Sequence, residues 1–411
     1  MRLPVVPIVF LFVFTVLIDW YIAWDIKTWT KNKKWYITYW VSSFLCWAFL
    51  IVTISLPRRA GDSDILPVIW MLFSYLTLYI AKLTYVLFSS FGRLIRISFG
   101  IFPNSHPFRW AGLAVGCILC GVLWIGVGYT RHHIEVTKLN FKSSKLPPAF
   151  NGYKIAQISD LHVGTWGNDT AFISKLVDSV NNLKPDLIVF TGDVVNRQTN
   201  EIVPFLGPLS RLNAKDGVLA VLGNHDYGDY MDWRVPQDRE LNNQLLAHYE
   251  KNMGWELLNN RKVFLNRNND SIMVIGVENW GDPPFPVYGD LEKALSSSKD
   301  SLHHQNDDNF KILLSHNPEH WNREVSKSTN IDLTLSGHTH AMQMMIRIGD
   351  WRWSPSVFRY AQWGGMFDRK NVDEITTHLY VNIGAGEVGL PARLISAFPE
   401  ITLITLKCKQ K

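Results

Sequence analysis

The chain has 411 residues, 47% of them hydrophobic and 19% charged, and a formal net charge of +5. That charge is small for the length, and no Lys/Arg stripe interleaved with aromatics occurs, so a nucleic-acid partner is not expected. The length admits more than one structural unit, and the apolar residues crowd into the first third.

Four apolar stretches, at about 4–24, 35–56, 65–91 and 109–130, approach or exceed the ~20 residues that span a bilayer core. Short polar loops such as DIKTWTKNKK and PRRAGDSD separate them. Trp20, Trp24, Trp35, Trp40, Trp110 and Tyr129 stand near their ends, where interfacial aromatics gather. A cleaved signal peptide would not be followed by three more such runs. Residues 1–131 are therefore expected to form four transmembrane helices that anchor the chain in a multi-pass cell (inner) membrane. The odd loops carry Lys27, Lys31, Lys33, Lys34, Arg93, Arg96 and Arg109, against Arg2, Arg58 and Arg59 on the other side. Counted over short loops, this leans the remainder of the chain to the extracytoplasmic side. Adding Arg131, Lys138, Lys142 and Lys145 levels the count. Asp19 and Lys82 interrupt apolar runs, which marks either a functional intramembrane charge or a snorkelling one.

Residues 132–150 are taken as a linker and 151–411 as a second domain. There, apolar runs of strand length alternate with a helical pattern: YKIAQIS (153–159), the helical TAFISKLVDSVNNL, PDLIVFTG (185–192) and SRLNAKDGVLAVLG (210–223). SIMVIGV (271–277), FKILLSH (310–316), IDLTLSG (331–337), HLYVNIG (378–384) and EITLITL (400–406) follow. The alternation predicts βαβ units around a largely parallel α/β sheet core.

Ligands of α/β sheets gather at the carboxyl ends of strands. Here those ends deliver Asp160 and His162, Asp193, Asn224 with His225 and Asp226, His316, and His338 with His340. Glycines precede Asp193, Asn224 and His338, where the backbone is expected to turn sharply. Carboxylate, amide and imidazole without thiolate suit Mn²⁺, Fe²⁺ or Zn²⁺. Up to seven ligands from this set are too many for one ion and suit two ions sharing a carboxylate. A lone GHTH would be a polar turn; five strand ends of one chemistry point to a metal centre.

The order DxH, GD, GNHD, H, GHxH resembles the calcineurin-like metallophosphoesterase superfamily over about residues 150–407. The closing NIGAGEVGLPARLISAFPEITLITL is similar to its membrane-associated bacterial branch, which includes enzymes acting on UDP-2,3-diacylglucosamine. The resemblance implies a four-layer α/β/β/α sandwich. It implies one ion held by Asp160, His162 and His340, another by Asn224, His316 and His338, and Asp193 bridging. His225 would face the substrate as a proton donor and Asp226 would orient it. It implies a metal-dependent phosphoesterase cleaving a phosphodiester or pyrophosphate, with a metal-bridging hydroxide as nucleophile. The lipid bilayer, and a phosphoester substrate that is lipid-linked or part of the cell envelope, are the expected partners. The alternative is a metal-binding signalling or scaffold protein that no longer turns over. Two departures from the pattern stand out: Ala341 and Met342 occupy places where two glycines are common, and Asn196 one that is commonly acidic.

Arg393, after a Gly-rich turn, is a candidate to clasp a second substrate phosphate or a carboxylate as a bidentate donor. Glu387 is expected on a polar loop surface. Trp280, Trp351, Trp353, Tyr360 and Trp363 are expected to pack long loops against the sheet. His303-His304 is expected in a solvated loop.

Overall fold

The computed structural model describes residues 5–30, 32–56, 62–100, 106–282, 285–296, 309–371 and 373–409. Arg2, Lys31, Arg58, Arg59, His303 and His304, all weighed above, lie outside the described residues. The chain forms two units, one of residues 1–60, 64–128 and 389–392, the other of 61–63, 129–388 and 393–411.

In the first unit, helices α1 (Val5–Trp29), α2 (Lys33–Ser55), α3 (Asp62–Phe99) and α4 (His106–Gly128) are each long and apolar enough to cross a membrane. The third runs past the apolar stretch through Arg93, Leu94 and Arg96, which are good helix formers. Polar pairs tie α1 to α3 in matched register. Tyr75 donates to Thr15 (3.0 Å), Tyr79 to Asp19 (2.6 Å) and Tyr85 to Asp25 (2.6 Å). Both aspartates are fully buried. A charge at membrane depth costs about 2.5–3.5 kcal/mol on insertion scales, so each needs a partner. Asp19 has Lys82 at 2.8 Å and the Tyr39 hydroxyl at 2.6 Å. Asp25 pairs with Arg93 and takes a two-point contact from Arg109 at 2.8 and 2.7 Å. Asp19 and Lys82, which the sequence left open between function and snorkelling, neutralise each other. Two arginines counted toward orientation are committed to Asp25.

In the second unit, six strands form one sheet: β1 (Glu135–Ser143), β15 (Glu400–Cys408), β2 (Lys154–Ile158), β3 (Leu187–Phe190), β4 (Val218–Ala220) and β5 (Trp255–Leu257), in that spatial order. A second six-stranded sheet has the order β12 (Gly365–Lys370), β13 (Thr376–Val381), β9 (Leu333–Ser336), β8 (Lys311–Leu314), β7 (Asp270–Gly276) and β6 (Arg261–Arg267), and a small third sheet places β10 (Met344–Ile348) between β11 (Trp351–Trp353) and β14 (Leu394–Ile395). The pairs from β2 to β5 and from β13 to β7 are parallel; β15 with β2, β12 with β13 and β6 with β7 are antiparallel. The stretch taken as a linker thus carries β1, paired in parallel with β15 along its length.

Period-two alternation builds the layers. Leu187 and Val189 of β3 join Ile312, Leu314, Leu333 and Leu335 of the other sheet in a core between the sheets. Ile188 and Phe190 face the other way, toward Phe172, Ile173 and Leu176 of helix α5 (Ala171–Asn182). On the far side Trp321, Val325, Leu291 and Ala294 cover Ile275, Leu313 and Val381. The result is an α/β/β/α sandwich in which β2, β3, β4, β8 and β9 end in the loops that carry the Asp, Asn and His residues.

Candidate metal centre

Those five loops converge. Asp160, His162, Asp193 and His340 bring one ligand atom each within 4.8 Å of one another, as do Asp193, His316 and His338, so Asp193 belongs to both clusters. In the first, His340 Nε2 lies 3.1 Å from Asp160 Oδ1 and 3.0 Å from His162 Nε2, and Asp193 Oδ2 is 3.5 Å from His162 Nε2. In the second, His316 Nε2 lies 3.2 Å from each of Asp193 Oδ2, Asn224 Oδ1 and His338 Nδ1.

These spacings suit a cation. Ligands at about 2.1 Å from an ion stand about 3 Å from one another, and these donor atoms stand at that separation. The charge balance agrees. Burial alone would raise Asp160 and Asp193, yet His340 beside the first and His316 beside the second hold both below the ordinary carboxylate range. Burial would lower His316, but Asp193 and Asp160 lift it to about 9, so a proton collects where positive charge is wanted. Burial and the neighbouring His316 push His338 down to about 3, and burial with His225 pushes His162 down. The residues fit divalent ions. Borderline-to-hard metals match the oxygen and nitrogen donor set.

The backbone is strained here. Among the described residues thirteen non-glycine residues have positive φ, and Asp160, His162, Asp193, His338 and His340 are five of them. Such conformations cost about 1–3 kcal/mol each and persist where surrounding structure enforces them. Ala341 and Met342, at the places where glycine is common in the resembled family, also sit at φ 50° and 46°. The three glycines preceding ligands act differently from one another. Gly192 takes φ 95°, a true turn. At Gly223 and Gly337 the need is room: a Cβ would collide with the Asp193 carboxylate at one, and with Ser159 and Asp160 at the other.

His225 is half-buried beside the two clusters. Its main-chain N–H donates to Asp193 Oδ1 at 2.8 Å, and its Nδ1 donates to the Asn196 carbonyl at 2.6 Å, leaving Nε2 for chemistry. Asp226 does not orient this ring. Its carboxylate accepts four backbone N–H groups instead, from Gly223, Asp193, Val194 and Val195, at 2.8–3.2 Å. It pins the Asp193 loop to the Gly223 loop. Burial and the nearby Asp193 charge push it up to about 7 despite those donors.

Arg393 is also displaced from its expected role. It is fully buried, and its two terminal nitrogens donate to the Ile383 and Gly384 carbonyls at 2.6–3.4 Å. With its fork spent on backbone behind Asp160, it cannot clasp a phosphate. Glu387, expected on a surface, is fully buried with Arg131 Nε at 3.2 Å. Burial raises its carboxyl to about 7 against the pull of Arg131 and Arg393. Trp363 is buried and Trp351 exposed, while Tyr360 reaches the His338 ring.

Residues 153–342 match the calcineurin-like phosphoesterase model, and residues 1–130 match a model described as a probable calcineurin-like phosphoesterase transmembrane domain. An uncharacterized metallophosphoesterase of Bacillus subtilis, YkuE, is 32% identical over 306 residues, covering 72% of this chain and 94% of that protein. A transmembrane protein with metallophosphoesterase domain from Danio rerio is 30% identical over 317 residues, 74% of this chain and 64% of its own length. The UDP-2,3-diacylglucosamine pyrophosphatase LpxG of Chlamydia muridarum is 27% identical over 266 residues, 54% of this chain and 74% of that protein.

Proposed function

The chain belongs to the calcineurin-like metallophosphoesterases and is a membrane-associated phosphoric ester hydrolase, and from that premise we propose that it cleaves a phosphodiester or pyrophosphate of a lipid-linked substrate. In this reading Asp160, His162 and His340 hold one divalent ion, Asn224, His316 and His338 a second, and Asp193 both. Mn²⁺, Fe²⁺ and Zn²⁺ are the candidates. The observation that carries the reading is the sharing of Asp193 Oδ2 between the two clusters.

The ions, when bound, neutralise phosphoryl oxygens and make water a competent nucleophile near neutral pH. The protein does the rest. Asp193, through Oδ1, fixes the main chain of His225. With Nδ1–H given to the Asn196 carbonyl, a second proton on the ring sits at Nε2, the nitrogen left facing the departing group. As the water oxygen bonds to phosphorus and loses a proton to solvent, the ester P–O bond breaks and Nε2 gives its proton to the departing oxygen. No protein nucleophile is required. All seven proposed ligands are present and converge, which disfavours a metal-binding protein that has lost turnover.

The substrate class rests on three supports. The four membrane helices hold the chain at a lipid bilayer. The Chlamydia relative is named for a diacylated nucleotide sugar. Met342, two residues after His340, and Phe358, two residues before the Tyr360 that meets His338, are 50% and 84% exposed. We place the catalytic unit outside the cytoplasm of a cell membrane, on the short-loop Lys/Arg count.

Hydrolysis of UDP-2,3-diacylglucosamine and of UDP-glucosamine by the full chain in nanodiscs tests this. The acylated substrate is expected to show the higher kcat/KM by about tenfold or more, since two buried methylenes suffice for that. Activity on both should vanish with chelator and return with Mn²⁺. Equal rates on the two substrates would sink the lipid-linked reading.

A further inference from the structure

Asn224 and His338 each have two faces, and both faces are occupied. Toward the second cluster, Asn224 Oδ1 and His338 Nδ1 both lie 3.2 Å from His316 Nε2. On the opposite side, Asn224 Nδ2 donates to the Tyr230 hydroxyl at 2.8 Å, and His338 Nε2 meets the Tyr360 hydroxyl at 2.9 Å. Both residues are ambiguous by nature. An amide that rotates by half a turn offers a nitrogen with no lone pair, and an imidazole in the wrong tautomer offers an N–H. Either error removes a ligand from an ion.

We propose that Tyr230 and Tyr360 are positioning residues that fix the amide orientation of Asn224 and the tautomer of His338, and so set the affinity of the second metal position. The proposal rests on the two-ion reading above. With Oδ1 and Nδ1 turned to the ion, each hydroxyl takes the accepting role, from Asn224 Nδ2–H and from His338 Nε2–H, and so holds the ligating form of its partner in place.

Both tyrosines are held for this task. Tyr230 follows Asp229, whose carboxylate is paired with Arg239 at 2.5 Å and accepts from Tyr288 at 3.0 Å. Its ring stacks on His225, centroids 4.4 Å apart and 28° between planes. Tyr360 follows Arg359, which is paired with Asp282 at 2.5 Å and lies over the Tyr360 ring at 5.0 Å. Its own N–H donates to the Ser356 carbonyl at 2.8 Å. Each loop is thus clamped by an ion pair at the residue before the tyrosine. His316 needs no such help, because its Nδ1 donates to the Thr191 carbonyl at 2.7 Å. All three residues of the second cluster besides Asp193 therefore have an outer partner, the arrangement that orients metal ligands generally.

The test is a titration of the full chain in detergent, stripped by chelator, with Co²⁺ read by calorimetry and visible absorbance. The wild type should take up two ions. Tyr230→Phe and Tyr360→Phe, which keep the rings, should bind the first ion unchanged and the second about 10–100-fold more weakly. Two ions bound as tightly in both variants as in the wild type would overturn the proposal while leaving the two-ion reading intact. Equal weakening of both ions would also overturn it, since that is the signature of general loosening. A wild type that takes up fewer than two ions would overturn both.

Discussion

Replacing Asp193 by Asn is expected to lower kcat/KM by at least about 10³-fold, with no recovery at high metal concentration. The amide has nearly the carboxylate's shape and can still accept the His225 N–H, so the loop geometry should survive. What it lacks is the negative charge that both clusters share. Asp193 is 1% exposed and its Oδ2 stands 3.2 Å from His316 and 3.5 Å from His162. Lewis-acid stabilisation of the transition state is worth several kcal/mol, and 1.36 kcal/mol is tenfold in rate, which sets the magnitude. Kinetics across a metal series, with metal content measured on the same samples, check it. A variant with near-normal kcat/KM would show that the two clusters do not act as one centre.

The second large effect belongs to His225. His225→Gln is expected to cost about 10²–10⁴-fold on an ester whose leaving group is an alkyl alcohol, the range for a positioned proton donor. On a p-nitrophenyl ester, whose leaving group departs without a proton, the loss should be far smaller. Metal content should be unchanged, because His225 touches the centre through its main chain and the Asp193 Oδ1 contact. The ratio of the two losses is the measurement. Equal losses on both esters would assign His225 to substrate binding or packing rather than to proton transfer.

The strand ends were legible because a strand, a glycine and a metal-ligand residue type leave a signature within a few positions. DxH, GD, GNHD and GHxH each lie in one loop, and the sheet brings them together. What stayed hidden depends on contacts between distant residues. Asp226 stands next to His225, and adjacency suggested an orienting pair. Only the fold shows its carboxylate filled by four backbone N–H groups and the ring held by Asn196 instead. Arg393 follows a glycine-rich turn in a run that suggests an exposed loop. Its full burial comes from Ile383 and Gly384, whose carbonyls take both terminal nitrogens. Glu387 has the composition of a surface residue; Arg131, more than 250 positions earlier, gives it a buried partner.

Tyr230 and Tyr360 escaped for the same reason, since a hydroxyl that orients a ligand has no local pattern. The strand β1 was missed because EVTKLNFKS puts Lys138, Asn140 and Lys142 on one face and Glu135 at its start, a polar pattern that suits an edge strand as well as a linker. In the membrane helices, Asp19 was visible as an interruption of an apolar run. Asp25 was not, lying near a helix end where charge is ordinary, and its two arginines come from α3 and α4.

The central claim is that seven side chains hold two divalent ions through one shared aspartate. Metal analysis of the purified full chain, combined with anomalous diffraction at the metal edges, tests it most directly. The account predicts two ions per chain, one among Asp160, His162 and His340, the other among Asn224, His316 and His338, with Asp193 touching both. A single ion, or two ions of which neither contacts Asp193, would contradict it.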